Sequence, residues 1–550
     1  MSLHPHAVAP VPEQTTRVAR AAFRKGSIAM RLRDELGAVY QDELFAPLFP
    51  ARGQPAVAPW RLMLVTILQF AEDLTDRQAA DAVRSRIDWK YALSLDLSDP
   101  GFDFSVLSEF RQRLLASEPA QTLLDTLLDH LKAQGVLKAR GRQRTDSTHV
   151  LAAVRAINRI EGVGETLRYA LNSLAVVAPQ WLQAHLASDW VDRYRARFND
   201  YRLPRAEVAR KALAEAVGAD GQRLLQAIYD PATPAWLREV PAVQTLRQVW
   251  VQQYHATADG SVRWRDAHDL PPASRLIQSP YDPEARFTTK RETRWTGYKV
   301  HLTETCDPDE PHLIVHVETT PATTHDSKVV DTIHASLAAA ELLPAEHLVD
   351  QGYVDTELLL TSQTAHGVTL IGPVPGDQSW QAAAGHGFAS TDFLVDWEAG
   401  TVQCPAGKHS TAWRPATDQY GDPVIHVNFG MADCAACPAR AQCTRSATTG
   451  RKLTLRPRAK HETMIAARQR QETAAFKAQY AARAGVEGTL AQGTRVFGLR
   501  QARYRGLPKT HLQHVLTAVS MNVVRLLAWT ASPTHHQTQT SRFVALAPVA

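Results

Sequence analysis

The chain has 550 residues, which is too long for one compact domain, and we expect about two to four domains. Its hydrophobic content of 44% and charged content of 21% are ordinary for a globular protein, and its net charge of +5 is compatible with a nucleic-acid partner without identifying one. The apolar runs all fall short of the roughly 18 residues that span a bilayer, and the N-terminus has no apolar signal segment. Five cysteines do not make a disulfide framework in so large a chain, so we expect a reducing, cytoplasmic compartment and no membrane partner.

The first 140 residues are predicted to be mainly helical. Residues 1–45 are weakly patterned and basic, and we expect them to be weakly ordered. Over residues 46–140, the sequence predicts helices that begin at Pro59, after Thr75 and at Ser105. A glutamine three residues after Thr75 completes a capping box.

Short helices with tight turns between them are typical of a helix-turn-helix bundle that binds DNA. In that case Arg111 and Arg113 are candidate contacts to DNA phosphates. A helical domain that only packs or dimerises explains the same pattern equally well.

Strand patterns begin after the helical region. Residues 141–155 contain a β-branched strand, and residues 290–375 contain a hairpin (295–305 and 312–320) followed by helix, strand, helix and strand. This order predicts an α/β fold with a mixed sheet and flanking helices. The segment between them, 156–289, is interpreted as a helical insertion, with a helical pattern that continues to about Trp250.

Three acidic residues stand out as candidate metal ligands. Asp146 and Asp350 each lie in or at the end of an apolar strand, and Tyr480, Arg483 and Glu487 have the spacing i, i+3, i+7 of one helix face. Carboxylates held at strand ends and on a packed helix suit a pair of Mg²⁺ ions that act on a phosphate. The plainer interpretation is that aspartates are common near strand ends in any chain of this length.

A cysteine-rich insertion is predicted at residues 376–469. Its cysteines are Cys404, Cys434, Cys437 and Cys443. Four thiolates in one segment fit a structural Zn²⁺ site, with His409 as a substitute ligand, and buried thiols without a metal are the alternative. Cys306 lies alone in the predicted sheet and is expected to belong to the core.

Two basic clusters are candidate DNA-binding segments. One follows the predicted helix of Glu487 and comprises Arg495, Arg500, Arg503, Arg505 and Lys509. The other precedes the predicted hairpin and comprises Lys290, Arg291, Arg294 and Lys299. Each cluster could neutralise several phosphates, and the alternative is a solvated loop. His325 and Asp326 are expected to cap a helix rather than to act in catalysis.

Several segments resemble insertion-sequence transposases of the DDE class. They are RTDST, SPYDPEARFTTKRETRWTGYKVHLTET, HLVDQGYVD, YAARAGVEGTLAQG and GLRQARYRGLPKTHLQHVLTAVSMNVVR. DWKYALSLDL and FDFSVLSEFRQRL are similar to the helical domain that precedes the catalytic core in one branch of that class, and the resemblance covers roughly residues 45–530. Tyr480, Arg483 and Glu487 match the signature around the third acidic residue. Where the family usually has a lysine seven residues further on, this chain has Thr494, with Arg495 next.

The resemblance implies a ribonuclease-H-like core built from residues 141–155, 290–375 and 470–530, with a disordered tail at 531–550. It implies that Asp146, Asp350 and Glu487 bind two Mg²⁺ or Mn²⁺ ions, and that Arg483 and Tyr480 hold the scissile phosphate. The expected partners are double-stranded DNA, as element ends and target, and a second copy in a homodimer, within the bacterial nucleoid. A DNA-binding protein that has lost catalysis and another ribonuclease-H-like nuclease are the alternative functions.

Overall fold

The structure, a computed structural model, describes residues 2–37, 39–117, 120–258, 260–385 and 387–533. The N-terminal helices are α1 (Glu13–Ala22), α2 (Ile28–Arg31), α3 (Asp42–Phe45), α4 (Pro59–Ala71), α5 (Asp76–Ser85), α6 (Ile87–Ala92), α7 (Ser105–Ser117) and α8 (Gln121–Ala133). The predicted starts of α4, α5 and α7 are confirmed. Both capping-box hydrogen bonds of α5 are present, with Gln78 N donating to Thr75 Oγ1 at 3.3 Å and Thr75 N donating to Gln78 Oε1 at 2.9 Å.

The weak order expected over residues 1–45 stays a prediction, and the described part of that segment contains helices that pack on α6. Helix α1 buries Ala19, and α2 buries Met30; both residues pack against Tyr91 of α6. These apolar residues are few and widely spaced in a basic segment, so the local sequence pattern did not reveal the surface against which they fold.

The central elements alternate between strands and helices. They are β1 (Arg142–Leu151), then α9 (Arg159–Val177), α10 (Pro179–His185), α11 (Trp190–Tyr194), α12 (Glu207–Tyr229), α13 (Pro241–Gln253), β2 (Tyr254–Ala256) and β3 (Val262–Trp264), then β4 (Arg286–Lys290), β5 (Thr293–Thr305), β6 (Ile314–Pro321), α14 (Val330–Ala339), β7 (Glu346–Val349), α15 (Thr356–His366) and β8 (Thr369–Ile371). The main sheet has the order β4–β5–β1–β7–β8, with β6 also paired to β5. Strand β5 is antiparallel to β1, β4 and β6, whereas β1, β7 and β8 are parallel. The predicted hairpin, α/β class and mixed sheet are therefore confirmed.

The insertion at 156–289 has a hydrophobic core of its own, which includes Leu167, Trp190 and Trp250. It is helical from α9 to α13, and β2 and β3 then form a short antiparallel hairpin. Strand β4 also begins at Arg286, inside the predicted insertion, and it pairs with β5. These strands are only three to five residues long, and periodicity detects such short runs poorly.

The cysteine-rich segment forms small sheets between β8 and the C-terminal helices. Its elements are α16 (Trp380–Ala383), β9 (Leu394–Asp396), β10 (Thr401–Gln403), β11 (Ser410–Thr417), β12 (Pro423–Phe429), α17 (Met431–Ala435), α18 (Arg440–Cys443) and β13 (Lys452–Leu455). Strands β11, β12 and β13 form an antiparallel sheet, and β9 pairs with β10.

The C-terminal helices connect the sheet to the N-terminal bundle. They are α19 (Arg458–Gln471), α20 (Ala474–Tyr480), α21 (Gly485–Val496) and α22 (Leu507–Ala531). Asn522 of α22 exchanges two 2.7 Å hydrogen bonds with the backbone of Ile314 on β6, and Ser520 donates to the carbonyl of Ile67 on α4 at 3.0 Å. One continuous hydrophobic core therefore includes residues of α4, α8, the sheet and α22. In the described part of the chain, no helix is long and apolar enough to cross a membrane. Most of the predicted disordered tail, residues 534–550, lies outside the described residues.

Candidate active site

The first two acidic residues lie where the parallel pairing of β1 and β7 ends. Thr145 of β1 and Val349 of β7 are the last register partners, so Asp146, in the middle of β1, and Asp350, just after β7, each follow a paired residue. Both carboxylates line a cavity of about 310 Å³. Parallel pairing therefore brings residues 204 positions apart into one site, because the two strands run in the same direction from their last paired residues.

The two carboxylates interact electrostatically. Burial raises the pKa of Asp146, Arg483 and the backbone N–H of Ser147 oppose that rise, and the negative charge of Asp350 adds to it. Asp350 accepts a hydrogen bond from Gly352 N at 2.6 Å, which fixes its carboxylate in the turn after β7. Two partly buried acids whose negative charges repel each other form a favourable place to bind a cation.

The third acid approaches this pair from the C-terminal helices. Tyr480 ends α20, Arg483 lies in a 3₁₀ turn and Glu487 lies in the first turn of α21. The expectation of a single α-helix through all three is therefore wrong. Arg483 nevertheless contacts both the first and the third acid. Its Nη2 donates to Asp146 Oδ2 at 2.5 Å, and its Nη1 lies 3.6 Å from Glu487 Oε1.

Glu487 lies farther from the cavity than the two aspartates. Its side chain is 70% exposed and does not line the cavity. Within the described residues, the three carboxylates do not come within 4.8 Å of one another as a group. Thr494, seven residues after Glu487 and on nearly the same helix face, donates its hydroxyl to Leu490 O. Arg495 is exposed and lies about 80° around the helix from Glu487.

Tyr480 lies close enough to Asp146 and Asp350 for their charges to affect its pKa. Its ring stacks on Phe476 with centroids 5.6 Å apart and an interplanar angle of 10°. Burial raises the pKa of Tyr480, Arg483 opposes the rise, and Asp350 and Asp146 add to it. The phenol is therefore protonated at neutral pH and can donate a hydrogen bond.

A buried ion-pair network that the sequence analysis missed positions these elements. Glu304 of β5 is fully buried and accepts hydrogen bonds from Arg144 Nε at 2.7 Å, Arg525 Nη1 at 2.8 Å and the hydroxyl of Thr489 at 2.5 Å. Burial raises the pKa of Glu304, but Arg525 and Arg144 outweigh burial, and the net pKa is lowered. The network connects β1, α21 and α22. It includes Arg144, two residues before Asp146, and Thr489, two residues after Glu487. A glutamate near the end of a predicted strand was the available sequence signal.

Another carboxylate lies close to Asp350. The predicted cap before α14 is His325, whose Nδ1 accepts from Ser327 N at 3.3 Å. Asp326 does not cap that helix; it is buried, and its Oδ1 accepts from Lys299 Nζ at 2.8 Å. Burial raises the pKa of Asp326, but the Lys299 hydrogen bond outweighs burial and the net pKa is lowered. Lys299 lines the cavity that holds Asp146 and Asp350, and Asp326 fixes this lysine from behind.

Some of the predicted basic residues lie at the cavity or on the open surface. Lys290 and Arg500 are exposed and line the cavity, and Arg500 Nε donates to the hydroxyl of Thr148 at 2.8 Å. Arg291 also lines the cavity. Those that are exposed elsewhere are Arg294, Arg495, Arg505 and Lys509.

Other predicted DNA contacts have partners inside the protein instead. Arg111 is buried, pairs with Asp76 and lies over the ring of Tyr504. Arg113 Nη1 donates to the carbonyl of Leu48 at 3.0 Å. These contacts hold the helical bundle together, and they argue against Arg111 and Arg113 as phosphate contacts.

Lys299 and Arg503 are also engaged within the fold. Lys299 donates to Thr324 O and Asp326, and only 12% of its side chain is exposed. Arg503 donates to Leu74 O at 2.8 Å and pairs with Asp73, so it links the segment before α22 to the N-terminal bundle. A run of basic residues shows which side chains are charged but not which of them face solvent. Lys299 and Arg503 were therefore grouped with the exposed residues.

The cysteines are divided as the sequence suggested. Cys306 is buried beside Leu348, Ile371 and Phe476, which confirms the expectation that it belongs to the core. The four cysteines of the insertion line a separate cavity within it. His409 is exposed and does not line that cavity, so the structure does not favour it as a substitute ligand.

Two family profiles match the chain on either side of the aspartates. A profile described as "Transposase domain (DUF772)" matches residues 21–113, which run from the end of α1 into α7. A profile described as "Transposase DDE domain" matches residues 403–527, which include Tyr480, Arg483 and Glu487. These two matches support an insertion-sequence DDE transposase. A comparison with curated proteins found no match for the chain.

The two matched segments leave residues 114–402 of the transposase uncovered, and this stretch contains both aspartates. The assignment of Asp146 and Asp350 therefore depends on the geometry of β1 and β7 and on the ion pair with Arg483 of the matched segment. DDE transposases act on DNA and generally use divalent metal ions, which is consistent with an acidic cavity rimmed by exposed cations.

Proposed function

We propose that this transposase binds the terminal inverted repeats of its own insertion sequence, cleaves DNA strands there by metal-dependent hydrolysis and joins the 3′-hydroxyl ends to target DNA. The observation that carries the proposal is the presence of Asp146 and Asp350 in one cavity, where the parallel pairing of β1 and β7 ends, with Asp146 in contact with Arg483 from the DDE-domain segment. The mixed sheet supports a ribonuclease-H-like core: β5 is antiparallel to β1, β6 forms a hairpin with β5, and the later strands β7 and β8 are parallel to β1.

The donor set fits a pair of Mg²⁺ or Mn²⁺ ions. Asp146 and Asp350 offer hard carboxylate oxygens in one cavity, and Glu487 is the third proposed ligand, from the first turn of α21. Divalent ions at this position would activate the attacking oxygen and stabilise the leaving oxygen of a phosphodiester. Ligation of a metal by Asp146 requires that carboxylate to exchange its bond with Arg483 for the metal.

Arg483 and Tyr480 would then act on the DNA phosphate. The guanidinium is planar and offers two parallel N–H donors, a geometry that matches two oxygens of one phosphate. Tyr480, protonated and held by its stacking on Phe476, can donate one further hydrogen bond to the same phosphate. Both side chains hold and orient the phosphate, and neither needs to transfer a proton.

Exposed basic residues form the proposed DNA path. Lys290 and Arg500 rim the cavity, and Arg495, Arg505 and Lys509 lie on the exposed surface of the same C-terminal segment. Phosphate contacts of this kind give affinity and position without sequence selectivity. Pairing two element ends in one complex requires two active sites, and a homodimer supplies them.

A cleavage assay with isosteric variants tests the proposal. Purified protein would be incubated with Mg²⁺ and duplex DNA carrying an element end, taken from the DNA that flanks the gene. We expect strand cleavage by the unchanged protein, a loss of at least about 1,000-fold in Asp350→Asn, and gel-shift binding that is unchanged in both. Asp355→Asn is the matched control, because Asp355 only caps α15 and asparagine caps a helix equally well.

The outcomes separate the alternative functions. Specific end binding without cleavage by any variant would show a DNA-binding protein that has lost catalysis. Cleavage that ignores the end sequence, without strand joining, would show another nuclease. Cleavage by Asp350→Asn at the rate of the unchanged protein would show that the metal site is assigned to the wrong residues.

A further inference from the structure

The cysteine module, residues 376–457, has a very small hydrophobic core for its length of about 80 residues. The buried members of that core are Phe393, Val402, Val427, Phe429, Leu453 and Leu455. A core of this size rarely stabilises a domain, and small modules usually need a disulfide or a metal as well. All the cysteines of the module are free thiols.

The four thiols of the module converge on one place. Cys404, Cys434, Cys437 and Cys443 line a single cavity of about 40 Å³, roughly the room that one small atom needs. Three of them also pack against the module's hydrophobic core. They come from the turn after β10, the end of α17, the loop after it and the end of α18, so the fold gathers residues 39 positions apart in sequence.

The backbone around the thiols is arranged to stabilise thiolates. Cys404 N donates to Lys408 O at 2.8 Å, and Lys408 N in turn donates to Cys404 Sγ at 3.4 Å. Gly407 permits this tight turn, because its φ of +77° is strained for other residues. Arg451 N donates to Cys434 Sγ at 3.4 Å. Backbone N–H groups directed at sulfur are the outer-shell contacts that metal-bound thiolates use.

The charge around the cavity also suits a four-thiolate site. A divalent cation bound by four thiolates carries a net charge of about −2, and binding releases the four thiol protons. The side chains of Lys408, Arg440 and Arg451 line the same cavity and can offset that charge. Arg451 Nη1 donates to Cys443 O at 2.7 Å, which holds this cation beside the thiols.

We infer that Cys404, Cys434, Cys437 and Cys443 bind one structural Zn²⁺ ion, which folds the module independently of the metal site at Asp146 and Asp350. The sulfurs must close slightly to do so. Within the described residues, no three of them lie within 4.8 Å of one another, whereas tetrahedral zinc with Zn–S bonds of about 2.3 Å places sulfurs about 3.8 Å apart. Their positions on a turn, two helix ends and a loop allow that movement without breaking a strand.

Metal analysis of the full-length protein tests the inference. Protein purified without chelator, then dialysed against metal-free buffer, should retain about one zinc per chain by elemental analysis. Cys437→Ser and Cys404→Ser should each lower the zinc content at least tenfold. Cys306→Ser is the matched control: it changes a buried cysteine in a different hydrophobic cluster, and it should retain the full amount.

Cobalt substitution keeps the test decisive if the serine variants fold poorly. The unchanged protein, refilled with Co²⁺, should show the intense thiolate-to-cobalt absorption and tetrahedral d–d bands of a four-sulfur site. Folded protein that binds neither Zn²⁺ nor Co²⁺ would overturn the inference, as would zinc that survives in both serine variants. None of these readouts depends on DNA cleavage, so a failure here is distinct from a failure of the proposed function.

Discussion

Arg483 and Asp146 form an ion pair across 337 residues of sequence, with Arg483 Nη2 donating to Asp146 Oδ2 at 2.5 Å. Only 15% of each side chain is exposed, so water screens the pair weakly. The guanidinium also lies 3.6 Å from Glu487, between two of the proposed metal ligands. The guanidinium of Arg483 therefore neutralises the two acids, Asp146 and Glu487, that are proposed to bind metal.

Replacing Arg483 should separate metal binding from catalysis. In Arg483→Gln, we expect cleavage to fall about 100-fold or more because the phosphate loses a bidentate donor. The Mg²⁺ concentration that gives half-maximal cleavage should fall as well, since Asp146 no longer exchanges an arginine for the ion. Arg458→Gln is the control, because Arg458 pairs only with exposed acids on the surface. A rise in the required Mg²⁺ concentration would contradict the competition between arginine and metal.

Glu304→Gln should strongly destabilise the fold. The change leaves Arg144 and Arg525 close together without their shared buried anion, and breaking such a pair typically costs about 3 to 5 kcal/mol. The thermal midpoint measured by circular dichroism should fall by several degrees. Glu462→Gln, which removes one partner of an exposed pair on α19, should leave the midpoint unchanged. Equal midpoints in the two variants would show that the network contributes little to stability.

Two neighbouring glycines in α21 should respond oppositely to alanine. A Cβ added at Gly485 would lie 2.1 Å from Nη1 of Arg144, whose position is fixed by Glu304 and by a 2.6 Å hydrogen bond to Ala482 O. At Gly488 a Cβ meets nothing within 4 Å, and alanine there should stabilise the helix by about 1 kcal/mol. We expect Gly485→Ala to lower the thermal midpoint and Gly488→Ala to hold or raise it.

Acid should destabilise the protein well above the pKa of its carboxylates. Burial lowers the pKa of His301 to about 4 and the pKa values of His316 and His514 to about 3. Their unfolded pKa is near 6.5, so the unfolded state binds more protons, and stability falls as pH drops from about 6.5 toward 4. At pH 5 each histidine should cost about 2 kcal/mol.

Thermal midpoints at pH 7.5 and pH 5.0, at constant ionic strength, measure this effect. His514→Gln cannot take up the proton, so it should lose less stability between the two pH values than the unchanged protein. A midpoint that is flat down to pH 5 would show that these histidines are not buried as neutral groups.

The rim cations should control the salt dependence of DNA binding. Lys290→Gln and Arg500→Gln should each weaken binding to any duplex and reduce the slope of log affinity against log salt by about 1. Arg456→Gln, in the cysteine module, changes the same charge away from the cavity and should leave the slope unchanged. Slopes that do not differ between the three variants would place the DNA elsewhere.

Features decided by local interactions were predictable from the sequence. The capping box at Thr75 and Gln78, the start of α4 at Pro59 and the hairpin of β5 and β6 all depend on residues close together in the chain. The motif of Tyr480, Arg483 and Glu487 was also recognisable, because the spacing of three residue types is a property of the sequence alone.

Only the tertiary structure decided which charged residues meet. Arg111 and Arg503 belong to basic segments, but the packing of the helical bundle pairs them with Asp76 and Asp73. Glu304 carries no local signal of a partner, since Arg144 and Arg525 lie 160 and 221 residues away. Parallel pairing of β1 with β7 likewise brings Asp146 beside Asp350. The physical reason is that periodicity reports burial along one element, whereas an ion pair or a metal site depends on where two distant elements pack.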